Sequence, residues 1–340
     1  MSCVAISGTG LIGASIGLGL RRAGWEVVGW DPDASALDEA LEQGAIHRRA
    51  ASFVELTASD PDLIVLAGPP RAVLDQVSGL ETEALVIDVA GVKAEVIAVA
   101  QPDRFVGTHP MAGREIRGPR GASPALFQGA TWVVVADGAT SEDLDVVEGI
   151  LLQFGARPVR MTAKEHDAAV AMISHLPQVM AAALINEAAD RTRALDLAAG
   201  SFRDLTRVAA SDPGLWVDLL GINSSEVVAA IEDYRHRLKR VVAALASGDS
   251  AAIREFLGRG QEIRRSLAPP VVAVRVALAD EPGELARVGR AFGASSVDVR
   301  DLQLRHAPHG GGGVLTVSVR PGEAETLRTA LSDEGLLVVE

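Results

Sequence analysis

Several residues in this chain are spaced for chemistry. The first is His109, in Gly107-Thr108-His109-Pro110-Met111-Ala112-Gly113, after the hydrophobic Arg104-Phe105-Val106 that reads as a strand end. Pro110 fixes its own φ and biases His109 toward an extended conformation. Gly113 permits a sharp turn or a close backbone approach. An imidazole titrates near neutral pH, so a histidine held this way can act as a general base. Taken alone, the stretch reads as a turn histidine bonded to nearby backbone; its neighbours in the fold must raise it to a base. The second group is Gly8-Thr9-Gly10-Leu11-Ile12-Gly13, with Asp31 placed 18 positions after Gly13. Glycines at this spacing allow a tight turn and close approach of a pyrophosphate, and a helix N-terminus behind them supplies free N–H groups. An acidic residue at that distance accepts from ribose hydroxyls and repels a 2′-phosphate, which favours NAD over NADP. The third group lies in the second half of the chain. Ser174 and Gln178 are one helical turn apart on one face, and Arg207 is a cation able to grip a carboxylate at two points or to make a surface ion pair.

Elements must bring these groups together. Cys3-Val4-Ala5-Ile6-Ser7 is an apolar run suited to a buried parallel strand, Ala14 to Ala23 a helix ended by Gly24, and Val27 to Trp30 a second strand closed by Asp31. The α/β alternation continues through strands at 63–67, 84–89, 105–107 and 131–136. Ligands bind beyond the carboxyl ends of the strands in such sheets, so Gly8–Gly13, Gly68–Pro70, Asp88–Lys93 and Thr108–Gly113 should converge on one edge. That convergence makes His109 a candidate base beside a nicotinamide. From Lys164 to about Ser266 the pattern is helical. Pro177 lies inside one helix and should kink it. Ser211 or Asp212 should cap another, with Pro213 in its first turn. Residues 223–247 form a long amphipathic helix, a solvated basic face or a dimer seam, with His236 on its surface.

Composition bounds the answer. A chain of 340 residues suggests two or three domains, and 48% hydrophobic residues supply cores for them. The net charge of -13 disfavours nucleic acid or an acidic membrane as partner, although local arginines can still hold a small anion. One cysteine, Cys3, suits a reducing cytosol and itself reads as a small buried hydrophobe. No signal peptide and no membrane-spanning run of about 18 residues free of charge is expected.

The combined pieces resemble the prephenate dehydrogenase family. They are Gly8–Gly13, Asp88-Val89-Ala90-Gly91-Val92-Lys93, His109-Pro110-Met111-Ala112-Gly113-Arg114-Glu115, Ser174-His175-Leu176-Pro177-Gln178, and Phe202–Arg207 with Trp216, in the family's order. The resemblance implies an α/β Rossmann domain (1–164), an all-α substrate and dimerisation domain (165–268), NAD as cofactor, and a cytoplasmic homodimer. It implies a small anionic cyclohexadiene substrate: a base takes the 4-hydroxyl proton, C4 gives hydride to NAD, and the ring carboxylate leaves as carbon dioxide. His109 matches the base and Arg207 the carboxylate-gripping residue. Trp216, Ser174, Glu115 and the neighbouring Arg114 match pocket positions. Three positions depart from the family pattern. Gly91 stands where a serine usually bonds the histidine and the 4-hydroxyl, Arg117 where a serine is usual, and Gln178 where a second histidine usually contacts the substrate side chain. Random drift is the plain account of these. An altered substrate is the other: 4-amino-4-deoxyprephenate, with room at Gly91, or arogenate, with Gln178 near an amino-acid side chain. Prephenate is the default.

The tail, 271–340, carries strands at 271–278, 297–306, 314–320 and 336–339 with helices between, a βαββαβ order that resembles an ACT regulatory domain with Pro282-Gly283-Glu284-Leu285 as its signature. The resemblance implies an aromatic amino-acid effector; a packing module without a ligand is the alternative. His306 and His309 flank a glycine loop without further metal ligands, so no metal site is expected. Two rival functions stand beside the enzyme. One is a non-catalytic NAD and amino-acid sensor. The other is a 3-hydroxy-acid dehydrogenase, which would want a lysine base that the Ser174–Gln178 segment lacks.

Overall fold

The computed structural model describes residues 2–113, 118–267, 271–306 and 312–339. The chain divides into two units, Met1–His236 and Arg237–Glu340.

The first unit is built on an eight-stranded sheet. Its strands are β1 (Cys3–Ser7), β2 (Glu26–Trp30), β3 (Arg48–Arg49), β4 (Leu63–Leu66), β5 (Leu85–Asp88), β6 (Phe105–Pro110), β7 (Thr131–Val135) and β8 (Arg157–Met161), in the order β3-β2-β1-β4-β5-β6-β7-β8. All pairs from β3 to β6 are parallel. Strands β4 and β5 are buried throughout, as continuous Leu-Ile-Val runs demand when helices cover both faces. One apolar cluster on one face includes Val4, Ile6, Leu20, Trp132 and Phe154; the other includes Ala5, Ile64, Val73, Val86 and Val96. The reversal of chain order at β1 and β4 leaves a crevice at their carboxyl ends.

Two expectations change here. Strand β6 does not end at Val106 but runs through His109 to Pro110. It leaves β5 after Gly107, and its last three residues pair with β7, which runs antiparallel: Thr108↔Val134, His109↔Val133, Pro110↔Trp132. The two strands β7 and β8 are therefore reversed against the parallel part of the sheet, and Thr131–Val135 does not share its ligand edge.

Helices follow β8. Thr162 caps the helix Ala163–Val170 in a reciprocal box with Glu165. A π-helical turn, Ala171–His175, leads into the helix Leu176–Ala189 with Pro177 in its first turn. The wider turn accommodates Pro177, which has no N–H to donate, in the place where a kink was expected. Ala163–Ala189 together is long and apolar enough by composition to cross a membrane, contrary to expectation. It nonetheless buries His166, Asp167, His175 and Gln178 within this unit. Gly200–Thr206 and Pro213–Ile222 follow, the latter capped by Asp212, whose Oδ1 accepts from the Gly214 N–H at 2.7 Å.

The helix Ser224–Ser247 crosses the division between units. The second unit continues with the helix Ser250–Ser266 and a four-stranded antiparallel sheet, β10-β11-β9-β12. Its elements are β9 (Val272–Leu278), a helix Glu284–Ser295, β10 (Asp301–His306), β11 (Gly313–Val319), a helix Ala324–Asp333 and β12 (Leu337–Val339). The βαββαβ order is as read. Strand β10 starts four residues later than expected, because Val297 and Val299 pack against the tail's core as irregular chain. His306 is exposed at the end of β10, and His309 lies outside the described residues.

Candidate active site

The dinucleotide loop is held by its own backbone. Gly8 has φ +94°, and a Cβ there would lie 2.6 Å from the Ala67 carbonyl carbon; at Gly13 it would lie 1.9 Å from the Gly8 oxygen. These two glycines are required by packing. Gly10 differs: among the described residues a Cβ there would meet nothing within 4 Å, and none of their side chains caps the helix Leu11–Arg22 that it starts. Open space before uncapped N–H groups at Leu11 and Ile12 is the cradle a pyrophosphate fills. Asp31, at the end of β2, takes the Thr9 N–H at 2.7 Å on Oδ2 and the Asp33 N–H at 2.9 Å on Oδ1. Asp31 also lines an open cleft of about 600 Å³ bounded by Trp30, Leu37, Arg49, Ala50 and Glu55. Arg49 is occupied by Asp38. The residues present fit an NAD adenosine and its pyrophosphate.

His109 is placed by the next strands over. The carboxylate of Asp88, at the end of β5, forms a fully buried ion pair with Lys93 and accepts from the N–H groups of Ala90 (2.9 Å) and Thr108 (3.1 Å). The Thr108 hydroxyl donates to the Asp88 carbonyl at 2.6 Å and accepts from the Trp132 indole at 3.0 Å. The residue before His109 is therefore fixed on three sides. The His109 ring meets a second histidine: its Nδ1 lies 2.8 Å from His166 Nε2, and His166 Nδ1 lies 2.8 Å from Asp167 Oδ1. Asp167 also accepts from the N–H groups of Lys93 and Ala94, each at 2.8 Å. It thereby caps the helix Ala94–Val99 and ties the helical segment to the sheet. Burial opposes the charge on Asp167, but the bonds from His166 and the two N–H groups outweigh it and hold this carboxyl below its usual range. Burial holds His109 well below the usual histidine value, and the neighbouring His166, Lys93 and His175 add to the shift.

The far side of the His109 ring is open to Gly91. A Cβ on Gly91 would lie 3.7 Å from His109 Nε2 and Cε1 and 3.2 Å from Leu219 of the helix Pro213–Ile222. Arg71 binds Asp218 of that helix at 2.6 Å, which brings it against the turn after β4. Trp216, on the same helix, meets His175 edge-on with ring centroids 6.0 Å apart. Asn223 donates to the Asp167 carbonyl at 2.9 Å and lies 3.3 Å from His175 Nδ1. Gln178 is buried, and among the described residues its Oε1 has no hydrogen-bond partner. Ser174 is partly exposed on the π-turn. Arg207 is exposed and begins a short turn, Arg207–Ala210, that packs against the helix carrying Gln178.

The structure thus places His109 beside Gly91 and puts Trp216 against His175, which Asn223 links to the backbone of Asp167. Arg114, Glu115 and Arg117 lie outside the described residues. Sequence reasoning missed His166, Asp167, Asn223 and Leu219. Adjacent residues on a helix do not ordinarily face one side, so the pair His166-Asp167 gives no periodic signal. Its only cue is a His-Asp dipeptide one turn after a capping box.

Two family models match the chain: "Prephenate dehydrogenase, nucleotide-binding domain" over residues 16–160 and "Prephenate dehydrogenase, dimerization domain" over 162–259. A prephenate dehydrogenase of Lactococcus lactis is 30% identical, covering 85% of each chain. The crystal structure of prephenate dehydrogenase from A. aeolicus in complex with hydroxyphenyl propionate and NAD+ superposes with a TM-score of 0.73 at 26% identity, over 79% of this chain and 99% of that one. Synechocystis arogenate dehydrogenase gives 0.68 at 27% identity, over 78% and 100%. On these matches the chain belongs to the prephenate dehydrogenase family, NAD-dependent oxidoreductases of prephenate-type substrates.

Proposed function

We propose that His109 is the base of an oxidative decarboxylation in which a prephenate-type cyclohexadiene becomes aromatic. The observation that carries this reading is the orientation of one ring: His109 Nδ1 is engaged by His166, while Nε2 faces the space beside Gly91. His109 takes the proton of the 4-hydroxyl on Nε2. Gly8–Gly13 and Asp31 would hold NAD, which would supply the hydride acceptor for C4. The ring carboxylate leaves as carbon dioxide, its bonding pair completes the aromatic ring, and the oxygen regains a proton. Arg207 holds a substrate carboxylate and Trp216, Ser174 and Gln178 line the pocket; the family resemblance assigns Arg114, Glu115 and Arg117 to substrate binding as well. His109→Ala should abolish NADH formation and leave NAD affinity nearly unchanged; turnover near the wild-type rate sinks the assignment.

Prephenate is the default substrate. Gln178 favours a second reading, arogenate. A buried amide oxygen without a partner wants a donor. A pyruvyl side chain has none at its ketone, and an amino-acid side chain brings an ammonium. The open face of Gly91 would equally admit a 4-amino group. Turnover of prephenate, arogenate and 4-amino-4-deoxyprephenate compared side by side is the test; equal rates on all three remove the argument from Gln178.

The chain works as a homodimer through its helical segment, and the tail senses an aromatic amino acid. The latter rests on the βαββαβ order and on the left-handed Gly283 (φ +100°) that opens the helix Glu284–Ser295. Calorimetry with tyrosine and phenylalanine tests it, and no heat from either leaves the tail a packing module.

A further inference from the structure

We propose that His166 and Asp167 select the tautomer of His109 and steady the charge it gains, so that His166 is a positioning residue acting through the base. The inference rests on the reading of His109 as base. The N–H groups of Lys93 and Ala94 are obligatory donors, and both point at the Asp167 carboxylate at 2.8 Å. A carboxylate that gathers donors is ionised and accepts only. His166 Nδ1, 2.8 Å from the same carboxylate, therefore carries a hydrogen. In a neutral His166 this leaves Nε2 bare, and the 2.8 Å contact with His109 Nδ1 then requires a hydrogen on His109 Nδ1. His109 Nε2 is left with its lone pair, on the side that faces Gly91. An imidazole free in water favours the opposite tautomer, which could not take a proton there.

The chemistry gives this chain of bonds a second use. The proton taken from the 4-hydroxyl is needed again by the same oxygen once the ring is aromatic. The base must hold that proton on Nε2 and not pass it away. Its Nδ1–H, donating to His166 Nε2, becomes a charge-assisted bond when the ring is cationic, about twice as strong as the neutral one. The charged and titratable groups around His109 are His166 and Asp167 on the helix Ala163–Val170, His175 on the π-turn, and Lys93 with Asp88 beyond β5. Lys93 is already matched by Asp88. Asp167, one imidazole away, is the anion positioned to offset a cation at His109. His166 is only 1% exposed, so it cannot meet substrate itself.

The test reads the tautomer directly, by ¹⁵N NMR of histidine-labelled full-length enzyme without substrate, alongside steady-state kinetics. Wild-type His109 is expected as the Nδ1–H form. His166→Gln places an amide oxygen near the lost Nε2 and should keep that form, with kcat within about fivefold. His166→Leu keeps volume without an acceptor; it should lose the tautomer and about 100-fold in kcat, the scale of a general-base contribution, with KM and NAD affinity within about twofold. An Nε2–H tautomer in the wild type overturns the proposal whatever the variants do, as does a Leu variant with wild-type kcat or a change confined to KM. The spectrum does not depend on His109 being the base. Full turnover by His109→Asn would instead sink that role and leave the tautomer measurement standing.

Discussion

An imidazole that burial has made a weaker base is neutral across the physiological range. His109 is such a group, lowered first by desolvation and further by its neighbours His166, Lys93 and His175. As the proposed base it would act when neutral, so activity should fail only as pH drops through its depressed value. We expect kcat/KM to be flat from about 6.5, the ordinary histidine value, upward through neutrality, with its acid limb well below that. An acid limb centred at 6.5 or above would contradict the burial argument. The same shift bears on stability. Between the folded and the unfolded pKa the unfolded chain binds the extra proton, so His109 and the similarly lowered His175 make the fold less stable as pH falls below about 6.5. Gly91 yields a second expectation at this scale. A serine there would reach for His109 Nε2 at the cost of a tight 3.2 Å approach to Leu219. Gly91→Ser should shift preference toward a 4-hydroxyl over a 4-amino substrate, measured as the ratio of kcat/KM values; an unchanged ratio shows that Gly91 does not touch the 4-substituent.

At the scale of elements, the turn after β5 does the positioning. The Asp88–Lys93 pair is wholly buried and bonded to the backbone on both sides of the site. Removing one charge leaves the other uncompensated, which costs about 3–5 kcal/mol in comparable cases. Lys93→Met should therefore lower the denaturant midpoint sharply, and Asp88→Asn in the same chain should recover part of the loss. A single Lys93→Met as stable as wild type would mean Asp88 is protonated in the fold. Much of this architecture was legible in the residues. The glycine spacing, the Val/Ile/Leu runs and the strand–helix alternation are local signals, and they located β1, β2, β4 and β5 and the nucleotide loop within a residue or two. The reversal of β7 was not legible, because a strand's direction depends on which neighbour it pairs with and not on its own pattern. Nor was the π-turn at Ala171–His175, since Pro177 reports a disturbed helix without saying how the disturbance is absorbed. The His109–His166 contact joins residues 57 apart. Nothing in either local sequence anticipates it.

At the scale of the molecule, family membership removes the sensor and the 3-hydroxy-acid dehydrogenase as rivals and leaves one large surface to explain. On the helix Ser224–Ser247, Leu238, Val242 and Leu245 recur at spacings of four and three, on one face, and all are exposed. On Ser250–Ser266, Phe256, Leu257 and Ile263 are exposed as well. Apolar side chains at helical spacing cost free energy in water, about 25 cal/mol for each Å² left uncovered. The dimerization-domain match ends at residue 259, so it takes in most of both helices. A second copy of the chain is the partner that such a face needs. We expect a dimer at micromolar concentration by sedimentation. Val242→Asp with Leu245→Asp should place two buried charges in that seam and shift the protein to monomer, while NAD affinity should hold. A wild-type protein that sediments as a monomer, or a double variant that stays dimeric, would move the interface elsewhere on the chain.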